Sequence, residues 1–240
     1  MPRFFVPEAS DDFITVTDGD ARHISYSLRM AVGDDITLCN GGKDYFCRIE
    51  RFDGDSVVCR VLSSEQSKSE PDIFLTLYQA FPKGDKFETI IQKSVELGAS
   101  RIVPVMTKRC IARPDERSFA KKLSRYKKIC EEAAKQSGRG IIPEVTEIIS
   151  FDKAVEEAKC ADLPLICYER EGGKRFKDIS FDNKKTVSLI IGSEGGFDCS
   201  EAEKAINSGI IPIWLGERIL RCETAPTATI SIIMNLSGNI

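Results

Sequence analysis

Over the first sixty or so residues, apolar and polar positions alternate in short runs: Phe4–Val6, Asp35–Asn40, Tyr45–Phe52 and Asp55–Leu62. Runs of this length predict β-strands with one buried face. Between them, Asn40-Gly41-Gly42 and Asp53-Gly54 supply the positive φ that tight hairpins need. Several short strands at this spacing predict a small barrel. The next stretch, Ser63-Ser64-Glu65-Gln66-Ser67-Lys68-Ser69-Glu70-Pro71, is polar and aperiodic and predicts a linker. It divides the chain into an N-terminal β-barrel domain, 1–70, and a C-terminal domain, 71–240.

Beyond Pro71 the period changes. Continuous apolar runs at Ile73–Ala80, Ile102–Val105, Leu163–Tyr168, Val187–Ile191 and Ile211–Leu215 read as buried strands. Between two of them, Asp85–Leu97 carries Phe87, Ile90, Ile91 and Val95 near one face. Asp85 and Glu88 there have capping-box spacing, and Gly98 stops the helix. A longer helix, Asp115 to Gln136, puts Phe119, Leu123, Tyr126, Cys130 and Ala133 on one side and lysines on the other. A helix starting near Ser200 has Glu203 as its capping partner, and a last one starts near Thr224 with Pro226 in its first turn. Five strands separated by helices predict an α/β fold with a mostly parallel sheet covered on both faces. Ligands in such folds sit beyond the carboxyl ends of the strands, so the loops there are where chemistry is sought.

Composition narrows the function classes. At 240 residues, 42% hydrophobic and 30% charged, the chain can bury a core and has room for one large or two modest domains. No run approaches the ~18 apolar residues of a membrane helix. The N-terminal segment meets Asp11-Asp12 before a signal-like run develops, so a cytoplasmic location is expected. Nine cysteines are scattered without C-x-x-C spacing, and His23 is the sole histidine. Metal sites need clustered thiolates or imidazoles, so no metal is expected and the cysteines read as reduced packing residues. The net charge of −3 hides an asymmetry: Arg101–Lys128 holds ten basic residues against Asp115 and Glu116, a formal +8, leaving −11 for the remainder. Such a stretch fits either a polyanion-binding face or a solvated helix surface.

Two loops stand out. Ile191-Gly192-Ser193-Glu194-Gly195-Gly196-Phe197 joins a buried strand to a helix, and its three glycines allow a ligand to approach the backbone. It matches neither dinucleotide nor P-loop fingerprints, so a tight structural turn and a cofactor loop both fit. Leu215-Gly216-Glu217-Arg218-Ile219-Leu220-Arg221-Cys222-Glu223-Thr224 follows the fifth strand and is expected to lie beside the glycine loop, on the neighbouring strand. A third glycine segment, Val95–Ser100, ends a helix rather than a strand and reads as a helix stop.

Taken together, the strings resemble the bacterial RsmE family of the SPOUT superfamily of methyltransferases. They are Met1-Pro2-Arg3-Phe4-Phe5-Val6; His23 with Leu28-Arg29 and Gly33-Asp34; Gln92-Lys93 with Glu96-Leu97-Gly98; Glu132-Ala133-Ala134-Lys135-Gln136-Ser137-Gly138-Arg139; Gly192–Phe197; and Leu215-Gly216 through Ala225. The resemblance covers nearly the whole chain. Ser193 stands where the family usually has proline and Ser27 where it has a branched apolar residue, while Cys222 and Pro226 are tolerable variants. None of these removes a polar group, so small changes in loop stiffness are expected.

What the resemblance implies is specific. The family methylates N3 of a uridine in 16S ribosomal RNA, with the assembled small subunit as the expected partner. Its fold is a PUA-like barrel followed by a domain with a deep trefoil knot, an exception to the rule against threaded connections. S-adenosylmethionine is implied as cofactor, at Leu165, Gly192, Glu194, Gly195, Leu215, Gly216, Ile219, Leu220 and Thr224, in a homodimer whose sites borrow residues across the interface. Uracil N3 carries a proton, so anionic character must develop there. Arg221 is the candidate cation for the carbonyl oxygens and Glu223 the candidate base, with Arg139 reaching the partner's site. N3 lies on the Watson–Crick edge, so the target base must be unpaired or flipped. Lys121, Lys122, Arg125, Lys127 and Lys128 are then candidate phosphate contacts. His23 and Arg29 are candidates on the barrel, with a hydrogen bond inside the barrel the competing role for His23. Three readings compete: a SPOUT enzyme acting on a ribose 2′-hydroxyl or another RNA, a non-catalytic RNA-binding assembly factor and, more distantly, a nicotinamide-dependent oxidoreductase.

Overall fold

A computed structural model describes residues 1–168 and 173–240. They form two compact units, one of Met1–Glu70 with Ala134–Ile142, the other of Pro71–Ala133 with Pro143–Ile240. The short segment Ala134–Ile142 therefore belongs with the N-terminal residues rather than with the C-terminal domain, where the sequence reading leaves it.

In the first unit, β1 (Arg3–Phe5), β2 (Phe13–Val16), β3 (Asp35–Asn40), β4 (Lys43–Asp53) and β5 (Ser56–Gln66) make one sheet in the order β1-β3-β4-β5-β2. Helix α1 (Asp18–Arg22) runs on into a single π-helical turn, His23–Ser27. Gly41 and Gly42 (φ 56° and 83°) turn β3 into β4, and Gly54 (φ 58°) turns β4 into β5, as the Asn-Gly and Asp-Gly signals predict. The core gathers Phe4, Ile14, Val16, Ile36, Leu38 and Ile49. Ser63–Gln66, read as linker, instead continue β5 and pair with Lys43–Phe46. Polar side chains are compatible with a strand whose outer face is wet.

The second unit is an α/β layer structure around a parallel sheet. Its elements are β6 (Phe74–Ala80), α2 (Lys86–Glu96), β7 (Arg101–Met106), α3 (Glu116–Ser137), β8 (Glu144–Val145) and β9 (Ile149–Ser150). They continue with α4 (Phe151–Ala158), β10 (Leu163–Cys167), β11 (Thr186–Ile191), α5 (Cys199–Asn207), β12 (Ile211–Ile213) and α6 (Thr224–Leu236). The seven strands run β12-β10-β11-β6-β7-β8, with β9 also pairing β7, and all pairings are parallel. The two extra strands are only two residues each, too short to leave a periodic signal.

Phe87, Ile90, Ile91 and Val95 of α2 are all buried, one stripe at helical spacing. Gly98 (φ 98°) ends the helix where a Cβ would lie 2.8 Å from Pro71 Cγ. Asp85 is the N-cap of α2, but its side chain makes no capping hydrogen bond, and Glu88 accepts from Arg125 instead. The capping box of α5 is formed by Asp198 and Glu201, two residues earlier than the Ser200–Glu203 pair of the sequence reading. Phe81, Phe87, Phe119 and Tyr126 pack in tilted and edge-to-face pairs with centroids 5.0–6.2 Å apart, fixing the turn after β6 and the start of α2 against α3.

Candidate active site

The carboxyl ends of β10, β11 and β12 open into a cavity of about 280 Å³. β10 lies between the strands that carry the two chosen loops, so those loops are not on neighbouring strands. They face one cavity nevertheless, because Cys167 and Tyr168 at the end of β10 line it between them.

Of the implied cofactor residues, Gly192, Leu215, Gly216, Ile219 and Leu220 line the cavity. Leu165 does not: it is fully buried inside β10, in register with Leu189 and Ile211, and belongs to the core. Glu194, Gly195 and Thr224 sit just outside the lining. Gly195 packs on Arg109, whose Nη1 donates to the Gly195 carbonyl at 3.0 Å. Thr224 opens α6, its N–H donating to the Arg221 carbonyl at 2.9 Å. Ile191, Phe197, Trp214 and Cys222 complete walls that the sequence reading did not assign. A continuous apolar strand and a lone tryptophan carry no sign of which side chains will turn toward a ligand.

The glycine loop is a tight turn as well as a wall. The Gly196 N–H donates to the Ser193 carbonyl at 3.0 Å, and a Cβ on Gly192 would lie 3.2 Å from Gly196 Cα. Beneath it, Gln79 at the end of β6 is fully buried and donates from Nε2 to the Gly192 carbonyl.

The cavity fits a ligand with a flat polar-edged ring and an apolar body. Ile219, an apolar side chain on the rim, is 90% exposed. Gly216 has open space where a side chain would stand. Among the described residues, the backbone groups of Leu215–Leu220 enter no backbone hydrogen bond, so donors and acceptors remain for a ring edge. An adenosyl group matches these features.

Charged residues collect at the rim. Lys86 Nζ lies 2.9 Å from Glu194 Oε1, 3.8 Å from Glu223 Oε2 and 3.8 Å from Cys222 Sγ. The Cys222 thiol donates to Glu223 Oε2 at 3.2 Å. Burial pushes this thiol up to about 12, so it stays protonated. Burial works against the charge on Glu223, but the Cys222 thiol, Lys86 and Arg221 outweigh it and hold the carboxyl below its ordinary range. For Glu194, burial is likewise overcome, by the Lys86 and Lys83 hydrogen bonds. Arg221 is exposed and enters no ion pair among the described residues. Lys86 escaped the sequence reading, because a lysine after a Lys-Gly-Asp turn looks like any solvated helix start.

Arg139 lies in the first unit, with its side chain 4% exposed and 2.7 Å from Glu70. Its guanidinium is thus committed within its own chain. Arg3 in the same unit bridges Asp44 at 2.8 Å and donates to the Arg139 carbonyl at 3.2 Å. His23 is exposed and meets the Phe4 ring edge-on at 5.8 Å, and its side chain makes no hydrogen bond among the described residues. Arg29 is exposed with φ 52°, a left-handed backbone unusual for arginine. On α3, Lys121, Lys127 and Lys128 are exposed and free of ion pairs among the described residues. Arg125 is paired with Glu88 at 2.7 Å, and Lys122 sits over the Phe81 ring.

The family models identify an RNA methyltransferase built on this fold and cavity. Residues 69–234 match the RNA methyltransferase domain, and residues 16–62 match the RNA methyltransferase PUA domain. The chain belongs to the ribosomal RNA small subunit methyltransferase E family. It is 33% identical to the member from Bacillus subtilis, over 97% of this chain and 96% of that one. The crystal structure of the Neisseria gonorrhoeae member bound to S-adenosyl methionine superposes with TM-score 0.89 at 33% identity, covering 98% of each chain. A Legionella pneumophila methyltransferase with bound cofactor SAM gives 0.87 at 33% identity, over 97% of this chain and 96% of that one.

Proposed function

We propose that this chain transfers the methyl group of S-adenosylmethionine to N3 of one uridine in 16S ribosomal RNA within the small subunit. The observation that carries the reading is the cavity: its exposed Ile219, open Gly216 and unengaged backbone fit an adenosyl group in a chain with SAM-bound relatives. When bound, the cofactor supplies a methyl group already activated on its sulfonium. Leu215, Ile219 and Leu220, which line the cavity, would hold its apolar surface, and the backbone between them would supply hydrogen-bonding groups to its polar edge.

The chain's own task is alignment and charge control, the first worth up to roughly 7–11 kcal/mol of barrier. Arg221, exposed beside the rim, stabilises the negative charge that grows on the uracil carbonyls as N3 loses its proton. Glu223 is held ionised and so is able to take that proton. Its depressed pKa makes it a weak base, from which solvent removes the proton again. Lys121, Lys127 and Lys128 contact phosphates beside the site, and His23 and Arg29 extend the RNA surface on the first unit. The family reading adds a trefoil knot in the last segments, a homodimer and a cytoplasmic location. No described helix is long and apolar enough to cross a membrane.

The test is methyl transfer from labelled S-adenosylmethionine to small subunits lacking the modification. Arg221→Ala is expected to lower turnover about 10²–10³-fold, the usual cost of one transition-state charge donor, with cofactor affinity unchanged. Full turnover by that variant would remove Arg221 from the mechanism.

A further inference from the structure

We infer that Lys86 is a positioning residue that ties the two halves of the cofactor cavity together. The inference rests on the cavity being the cofactor site. Three separate segments meet at its ammonium group: the start of α2 that carries it, the glycine loop through Glu194, and the start of α6 through Glu223. The cavity wall joins them through Cys222, which lines the cavity and touches both Lys86 and Glu223. Lys86 itself is well anchored. It is the first residue of α2, and its neighbour Phe87 is fully buried against Phe81 and Tyr126.

Removing the cation changes the balance at the rim. Glu194 and Glu223 both reach one nitrogen, at 2.9 and 3.8 Å, so without it two carboxylates share this rim with no cation between them. The Lys83 backbone N–H, 3.3 Å from Glu194, and Arg221 near Glu223 remain, but neither bridges the two. Repulsion then separates the glycine loop from the start of α6, or one carboxylate takes up a proton. Either outcome alters the cavity between Gly192 and Leu220. The groups facing Lys86 are Glu194, Glu223 and Cys222; the thiol stays neutral and both carboxyls are held below their ordinary range while Lys86 is present, so a carboxylate takes up a proton as the pH falls toward about 5 only when Lys86 is removed.

The experiment is calorimetric titration of the full chain with S-adenosylhomocysteine, a product-like probe, at about pH 5.5 and about pH 8. Wild type is expected to bind with little difference between the two. Lys86→Met is expected to bind about tenfold more weakly at the higher pH and to recover in part at the lower one. Lys86→Arg, which keeps the charge, is expected to stay within about threefold of wild type. If Lys86→Met does not fold, Glu194→Gln and the double variant Lys86→Met/Glu194→Gln take its place. The double variant is expected to bind as well as Glu194→Gln alone, because the charge that Lys86 neutralises is gone. Equal binding by wild type and Lys86→Met at both pH values overturns the role of Lys86 and leaves the cofactor site standing. Equal loss in the Met and Arg variants overturns it too. Absence of binding by wild type overturns the cofactor site and this inference with it.

Discussion

Gln79 Nε2 donates to the Gly192 carbonyl at 3.1 Å, joining the end of β6 to the first residue of the glycine loop. The same nitrogen donates to the Ala80 carbonyl at 3.1 Å, while Gln79 Oε1 is buried with no partner among the described residues. An acceptor left unsatisfied in this way is a cost, accepted here to hold the loop. Replacing Gln79 by Leu removes the unpaired oxygen but strands the Gly192 carbonyl. The two effects oppose, so a stability loss of about 1 kcal/mol is expected from urea denaturation, smaller than for an ordinary orphaned acceptor. The glycine loop loses its anchor, and S-adenosylhomocysteine affinity is expected to fall. Unchanged affinity would separate the loop's position from Gln79.

Arg139 and Glu70 make a second prediction. In the first unit Arg139 is buried and Glu70 half-buried, with Glu70 also accepting from the Gly140 and Ile141 N–H groups at 2.9 and 3.1 Å. Removing one member of an ion pair whose guanidinium is buried costs up to about 3–5 kcal/mol. Glu70→Ala is therefore expected to lower the urea midpoint sharply. Arg139→Met is expected to do likewise, so that any loss of turnover in that variant comes with lost stability. Full stability with lost turnover would instead mark Arg139 as acting on substrate.

The basic helix gives a third. Lys121 and Lys127 are exposed, whereas Arg125 is held by Glu88. Replacing both lysines by alanine should flatten the dependence of log affinity on log salt by about 0.7–0.9 per lost phosphate contact. Arg125→Ala should change it less. An unchanged slope in the double variant would return this face to plain solvation.

Buried thiols set the alkaline limit. Burial pushes Cys39 and Cys47 up to about 12 and Cys59 to about 11, against an ordinary value of 9.0. The unfolded chain releases these protons first, so the folded state binds more protons above the ordinary value, and stability falls as pH rises. Under reducing conditions the urea midpoint is expected to hold up to about pH 8.5 and to decline by about pH 10.5. A flat midpoint across that interval would contradict the burial of these thiols.

The periodic elements were readable because their signals are local. The stripe Phe87-Ile90-Ile91-Val95 and the Asn-Gly turn appear in the structure where the pattern puts them. What escaped depends on distant partners. Nothing local says that β10 inserts between β11 and β12, so the two loops meet across Cys167 and Tyr168 rather than side by side. Ser63–Gln66 read as linker because a strand with a wet face carries the same polar residues as a loop. Leu165 stood among the implied cofactor residues, yet it faces the core, since a buried strand has no polar alternation to mark its sides. Lys86 acquires meaning only once Glu194 and Glu223, over a hundred residues away, are brought to it.

The most direct test of the central claim is mass spectrometry of nucleosides from small subunits of cells lacking this gene, incubated with the protein and S-adenosylmethionine. Appearance of 3-methyluridine in the 16S RNA, absent without the protein, is the predicted result. A methyl group on ribose or on another base, or no methylated product at all, would contradict it.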